Sequence, residues 1–345
     1  MKNRRTALIL ALVSIAFGVL FRFQFVDRLA FDADDLAYYE RTPYGVDLPD
    51  RFGDTPYWLS WSRGDGQAYV TLAGDPWAEG PVRGLRVALY RYSRIGYSWA
   101  ALTLTLGRVD LIPYGLFAVS MISLGVVGWI VGRNLNRWGP RGLILLVVPG
   151  ALISAASDTA EAFGLALSTL AVTAPMPGAT AAALTLGIVR PDFATTLFLR
   201  GKRSLWLIGA CGVTAVGVRL LGMSLGLDYA GLNNNLTWPY VGYVNVMGTQ
   251  TPVDRAVTIG LLAVATVTVI HAVLNERGWR RLAFGTTGLF VLLLAPLVLA
   301  NYQNSLRAAI GLSLIWAIPA DPEPDGDQSS SGARSETRRS QSHPV

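Results

Sequence analysis

Charge is scarce in this chain. Of its 345 residues only 15% are Asp, Glu, Lys or Arg, against about 25% in soluble domains. Cysteine is nearly absent: Cys211 stands alone in an apolar run, which excludes an intrachain disulfide and a thiolate metal cage. Histidine is limited to His271, in an apolar run, and His343, near the C-terminus. A histidine metal site or a Ser/His dyad would rest on His271 alone, and we read it as a packed interior side chain. No Gly-x-Ser-Gly element with a partnering histidine in a later span is present, and no pair of intramembrane aspartates, so intramembrane proteolysis is a poor fit. There is no tandem repeat and no inverted repeat of hydropathy. Many transporters carry such symmetry, and its absence counts against one.

What is abundant is apolar sequence: 52% of the residues are hydrophobic, in runs of span length separated by short Arg-rich or Asp-rich connections. That pattern predicts an all-α fold, a polytopic helical membrane protein with about eight to ten membrane segments. The net charge of +6 follows from arginines at loop ends, as the positive-inside rule expects, and does not argue for nucleic acid. Behind Met1-Lys2-Asn3-Arg4-Arg5, the run over 6–25 is long for a signal peptide and has no clean small-x-small site after it. It is expected to be an uncleaved first span with a cytoplasmic N-terminus.

Further spans are expected over 112–132, 142–156, 159–173, 204–224, 256–274, 282–300 and 305–318. Residues 96–107 are apolar but too short to cross, and suit an interfacial or re-entrant helix. Residues 178–199 are interrupted by Arg190-Pro191-Asp192 and are expected to form two half-helices in a hairpin, since Pro and charge at membrane depth are tolerated where they line a cavity. With that hairpin the Arg clusters and the tail fall on the cytoplasmic side and two long loops fall outside; a single crossing would reverse the second half. The integral membrane domain is thus 1–318, with 26–95 as the first extracytoplasmic loop, and 319–345, rich in Ser, Pro and charge, is expected to be a disordered cytoplasmic tail.

The segment 26–95 holds eleven acidic residues and eight arginines, and loops of that length are usually functional. Asp32, Asp34 and Asp35 lie just past the first span, where carboxylates can bind a divalent cation or act as a base toward a hydroxyl. A solvated helix end is the plain alternative. Asp65 sits between Gly64 and Gly66, whose lack of side chains leaves room beside the carboxylate; Gln67, Tyr69 and Trp77 follow, side chains suited to a sugar ring, although Asp-Gly is also an ordinary turn. Arg91 and Arg94, among Tyr90, Tyr92 and Tyr97, can pair with phosphate or belong to an interfacial belt. Asp158 with Glu161, Arg190, Arg219 and Arg307 are ionisable groups in or beside spans, which makes them functional candidates, with snorkelling as the simple account of Arg219.

In order along the chain, "FDADD", "GDGQAYVTLAGDPW", "YRYSRIGYSWAAL", "SDTAEAFGLALSTLAV", "ALTLGIVRPDFATTLF" and "NYQNSLRAAIGL" resemble the layout of the GT-C class of polytopic glycosyltransferases, including the GPI-mannosyltransferase-like and cell-surface glycopolymer formation proteins of bacteria and archaea. Gly64 replaces the tryptophan that precedes the aspartate in that family's pattern, and a soluble C-terminal domain of the oligosaccharyltransferase type is not expected. The resemblance implies a hexosyltransferase that moves a sugar from a polyprenyl-phosphate donor to a glycan or glycolipid acceptor of the cell envelope, at the outer face of the plasma membrane. It implies Asp65, Asp35 or Asp34 as the catalytic base and Tyr69, Arg91, Arg94, Asp158, Arg190 and Arg307 as substrate-binding residues. No cofactor is obligatory, and a divalent cation (Mg or Mn) on Asp32 and Asp34 is optional. The partners implied are the lipid-linked donor, the acceptor and membrane lipids, with no nucleic acid. The competing reading is a non-enzymatic polytopic protein, either transporter- or flippase-like or a scaffold for envelope assembly.

Overall fold

The architecture comes from a computed structural model, which describes residues 2–28, 65–85, 87–227, 236–299 and 302–319. Among the described residues there is no β-strand, only an isolated bridge between Leu236 and Leu294. The chain is an all-α polytopic membrane protein: four stretches, Asn3–Gln24, Val109–Trp138, Pro191–Ser224 and Pro252–Asn275, are long and apolar enough to cross a bilayer. The expected tail from 320 onward, and most of the expected first loop, lie outside the described residues.

The helices are α1 (Lys2–Arg28), α2 (Asp65–Gly74), α3 (Ala88–Tyr92), α4 (Gly96–Leu104), α5 (Ile112–Trp138), α6 (Pro149–Ala156), α7 (Glu161–Thr173), α8 (Met176–Val189) and α9 (Ser204–Ser224). They continue as α10 (Val241–Val246), α11 (Pro252–Asn275), α12 (Gly278–Leu292), α13 (Pro296–Leu299), α14 (Tyr302–Ala308) and α15 (Ile310–Ala317). Among the four 3-10 segments of the described residues, two are short (Pro81–Gly84 and Val109–Leu111) and two, Pro140–Val147 and Pro191–Arg203, belong to the bundle. Pro140–Val147 continues into α6 to make one pass, and Pro191–Arg203 is kinked at Gly201.

Small residues set the closest approaches. In α5, Gly128 and Gly132 lie so near the α1 backbone at Leu10 and Ala7 that a Cβ on either would overlap main-chain atoms. This is the small-xxx-small packing of helices in membranes, where close van der Waals contact substitutes for a hydrophobic driving force. Gly187 of α8 meets Cys211 O and Thr214 Oγ1 of α9 in the same way.

These contacts fix the direction of each pass. Ala7 of α1 meets Gly132 near the C-terminal end of α5, while Arg22 of α1 lies over Phe117, near the start of α5. The pair therefore runs antiparallel. At the far end of α7, Arg200 donates to Val172 O and Ala174 O at 2.7 Å each, while at the near end Arg190 reaches Glu161. Residues 176–203 thus form a hairpin that reverses at Arg190-Pro191, as the sequence leads one to expect, with one α-helical and one 3-10 leg. In the second half, Phe198 stacks on Trp279 and Arg280 donates to Ile318 O at 3.2 Å. Arg4 and Arg5, Arg133 to Arg141, Arg200 to Arg203 and Arg277 to Arg281 therefore all gather at one end, called here the arginine-rich end.

Three expectations are refined. Residues 65–104, expected as part of an outer loop with one short helix, fold as α2, α3 and α4. The run 282–300, expected as one span, is broken after Leu292, where the chain turns before Pro296. The polar loop 225–255 contains α10, which joins the second apolar core through Val246 and packs against α13.

Candidate functional site

Away from the arginine-rich end, buried charges meet at the turn between α6 and α7. Ser154 shapes that turn. Its Oγ donates to Thr159 O at 2.6 Å and accepts from the Ala162 N–H at 3.0 Å. Asp158 takes up left-handed backbone there, with φ 50°, a conformation that aspartate's short polar side chain tolerates better than most. Its carboxylate accepts two bonds from Arg22, from Nη1 at 2.5 Å and Nη2 at 3.0 Å. Arg22 Nη1 also donates to Ala155 O at 3.1 Å, and its guanidinium lies 5.0 Å over the Phe117 ring. The two side chains are 1% and 0% exposed, so this is a fully desolvated ion pair tying α1 to the α6–α7 turn.

One turn on, Glu161 occupies the first turn of α7 and Arg190 caps the C-terminal end of α8. Each helix end favours the charge placed on it. Arg190 Nη1 donates to Glu161 Oε1. Its Nε and Nη2 donate to Asp192 at 2.9 and 2.5 Å, and its guanidinium lies 4.9 Å over Phe193. The sequence builds this locally: Pro191 cannot continue α8, so the chain reverses and returns Asp192 beside Arg190. Gly164 leaves the space that Arg190 and Phe193 fill. Arg307, on α14, brings its Nε to 3.6 Å from Glu161 Oε1. It is carried there because Gly150 lets the backbone at Leu306 and Arg307 press against α6.

The network is recessed. Helix α7 has 13 residues and so spans about 20 Å, against a hydrocarbon core of about 30 Å. Helices α2, α3 and α4 roof it. Ser98 Oγ donates to Tyr69 O at 2.8 Å. Tyr97 OH donates to Leu116 O at 2.9 Å, pairs with Ser120 Oγ at 2.8 Å, and its ring meets Tyr69 edge-on at 5.2 Å. Ahead of α3, the Asp75 carboxylate ties the loop by accepting from the N–H groups of Glu79, Gly80 and Val82. Arg94 lies half-buried over the Tyr90 ring at 4.5 Å. Burial works against its charge; Tyr90, Asp192 and Tyr69 outweigh that, Arg190 opposes them, and the guanidinium stays above its ordinary pKa. Arg91 also lies against Tyr90, at 5.7 Å.

Of the residues singled out from sequence, Asp158, Arg190 and Arg307 are therefore brought to one region with Glu161, and Tyr69, Arg94 and Arg91 lie in or beside its roof. Asp158 and Arg190 are bound within the protein as clamps. The Asp65 backbone opens α2, and its side chain lies outside what is described. Asp32, Asp34 and Asp35 lie outside the described residues. Among the described residues no group of three or more His, Cys, Asp or Glu could hold a metal ion. His271, expected as a packed interior side chain, is half-buried: its ring lies between Phe284 and Trp316, and its Nε2 is 3.1 Å from Glu276 Oε1.

Sequence reasoning missed Arg22; it named Asp192 only within the Arg190-Pro191-Asp192 interruption and Tyr97 only within the tyrosine and arginine group ahead of the short apolar helix, without their partners. Arg22 carried a signal, being the single charge between Arg5 and Asp27 in an otherwise apolar run, and such a residue needs a partner. Tyr97 carried no signal of its partners. Comparison of the chain with protein-family models, with curated proteins and with solved structures finds no match.

Proposed function

We propose that this protein is a membrane glycosyltransferase of the GT-C type, transferring a sugar from a polyprenyl-phosphate donor to a cell-envelope glycan or glycolipid. The observation that carries the reading is the gathering of Glu161, Arg190, Arg307 and Arg94 in a recessed, roofed region away from the arginine-rich end. By the positive-inside rule the arginine-rich end is cytoplasmic, which puts this region toward the outer face of the plasma membrane and both chain termini inside.

The reaction is a displacement at the anomeric carbon. A carboxylate of Asp65, Asp35 or Asp34 takes the proton of the acceptor hydroxyl as its oxygen bonds to the sugar, and the bond to the lipid phosphate breaks. General-base assistance of this kind contributes about 10²–10⁴-fold. Arg307, with Arg91 and Arg94, receives the departing phosphate by charge-assisted hydrogen bonds, which are stronger in a water-poor site. Arg22–Asp158 and Asp192–Arg190–Glu161 hold the helices that present them. Mg or Mn on Asp32 and Asp34 would assist phosphate departure without being obligatory.

The test is a gene deletion with an inventory of envelope glycans and polyprenyl-phosphate sugars, complemented by the wild type, Asp65→Asn and Asp35→Asn. The reading expects a missing glycan, an accumulated lipid-linked sugar, and failure of at least one variant at wild-type abundance. A non-enzymatic scaffold or transporter is favoured by one observation, the neutralisation of Arg22 and Arg190 inside the bundle. It expects both variants to complement fully.

A further inference from the structure

The segment before α11 enters the membrane region. Helix α11 descends from Pro252 toward the arginine-rich end, packed antiparallel on α12, with Gly288 against Ala265, Thr268 and Val269. The hydroxyl of Tyr240 pairs with Thr266 Oγ1 at 2.8 Å. Thr266 is past the middle of α11, about 20 Å from Pro252 at ~1.5 Å per residue. The Tyr240 backbone N–H donates to Leu292 O at 3.2 Å, and the Thr237 N–H to Leu293 O at 2.6 Å. These carbonyls belong to the place where α12 stops, one turn beyond Gly288. A Cβ on Gly242 would overlap Leu294 O. Helix α10 then climbs back, and Met247 O accepts from Arg255 at 2.7 Å, near the start of α11.

From Leu236 the described chain therefore lies near the level of the middle of α11 and climbs back toward its start, pairing its backbone with the broken end of α12. Unpaired main chain at such depth would cost several kcal/mol per group, and this pairing satisfies it. From Leu236 to Gln250 there is no charged residue. One side of the segment is buried, at Gly242 and Val246; the other leaves Trp238 79% and Val244 57% exposed, with Val241 beside them. Helix α11, joined to this segment by the Tyr240–Thr266 pair, likewise leaves Ile259, Val264, Val267 and Ile270 exposed.

We propose that Leu236–Met247 is a re-entrant loop whose Trp238, Val241 and Val244 contact lipid acyl chains in the half of the bilayer away from the arginine-rich end. The occupant is lipid because the face is uncharged, lies at acyl depth and continues the lipid-facing surface of a spanning helix. This proposal rests on the membrane fold alone and stands or falls independently of the glycosyltransferase reading.

The test places a nitroxide at Val241→Cys and, separately, Val244→Cys in the full-length Cys211→Ala protein in lipid nanodiscs. Relaxation by oxygen is compared with relaxation by a water-soluble nickel chelate. Val264→Cys on α11 is the lipid-facing reference and Gly248→Cys the water-facing one. At both test sites the oxygen-to-nickel ratio is expected to match Val264→Cys and exceed Gly248→Cys several-fold. A ratio like that of Gly248→Cys makes the segment an aqueous loop, and silence toward both relaxants makes it a protein contact; either overturns the proposal.

Discussion

Replacing Asp158 by Asn isolates the charge of the deepest ion pair, because asparagine also accepts left-handed backbone and keeps the shape. Arg22 and Asp158 are 1% and 0% exposed, so the arginine left behind has no solvent to screen it. Removing one member of such a pair costs about 3–5 kcal/mol, whereas replacing both by apolar residues of similar volume is often neutral. Asp158→Asn should therefore lower Tm in detergent by on the order of 10 °C. Asp158→Ala should be worse by roughly a further 1–2 kcal/mol, since alanine pays the full left-handed penalty at φ 50°. The double variant Arg22→Met, Asp158→Asn should recover most of the loss. Thermal unfolding followed by tryptophan fluorescence and by size exclusion after heating measures all three. A loss below ~1 kcal/mol for Asp158→Asn, or a double variant as unstable as the sum of the single ones, refutes the reasoning.

Other expectations follow from single contacts. Gly187→Ala should destabilise by about 1–3 kcal/mol because its Cβ overlaps the α9 backbone at Cys211 O; Gly212→Ala in α9, which faces open space, should be neutral or stabilising by up to ~1 kcal/mol in the same melt. Arg200→Ala removes the donors that close the α7 C-terminus at Val172 O and Ala174 O and should cost about 1–3 kcal/mol. The Tyr92 phenol, held above its ordinary value of 10.0 by burial and by Asp75, contributes stability that is intact below pH 10 and is lost as pH rises through the folded-state pKa. Tyr92→Phe should therefore flatten the decline of Tm in alkaline buffer.

How much of this was legible depended on whether the physics was local. Helix α9 was readable to the residue because its apolar run is bounded by Arg200 to Arg203 on one side and polar sequence on the other. The reversal at Arg190-Pro191 was readable because proline and charge interrupt an apolar run. The break in α12 was hidden, since Leu292 to Leu294 are as apolar as the helix before them and only Pro296 hints at it. Of the roof helices, α4 was readable as a short apolar helix over 96–107, whereas α2 was hidden by turn signals: "RGDG" and "AGDP" read as loop, while Tyr69, Leu72 and Ala73 pack in the core once α2 forms. The site was half legible. Asp158, Arg190 and Arg307 stood out as charges in apolar surroundings, but that Arg22 closes on Asp158, 136 residues away, is a long-range pairing that one sequence does not display.

The most direct test of the central claim is transfer itself. Purified protein in nanodiscs is given polyprenyl-phosphate donors carrying radiolabelled hexoses, with envelope glycolipid extract as acceptor, and label is followed into the acceptor. The account predicts label transfer by the wild type with release of polyprenyl phosphate, and a loss of about tenfold or more in Arg307→Gln, which keeps the fold but removes one charge-assisted bond worth roughly 1.5–3 kcal/mol. Intact donor after incubation of a folded wild type with every hexose tested would contradict it.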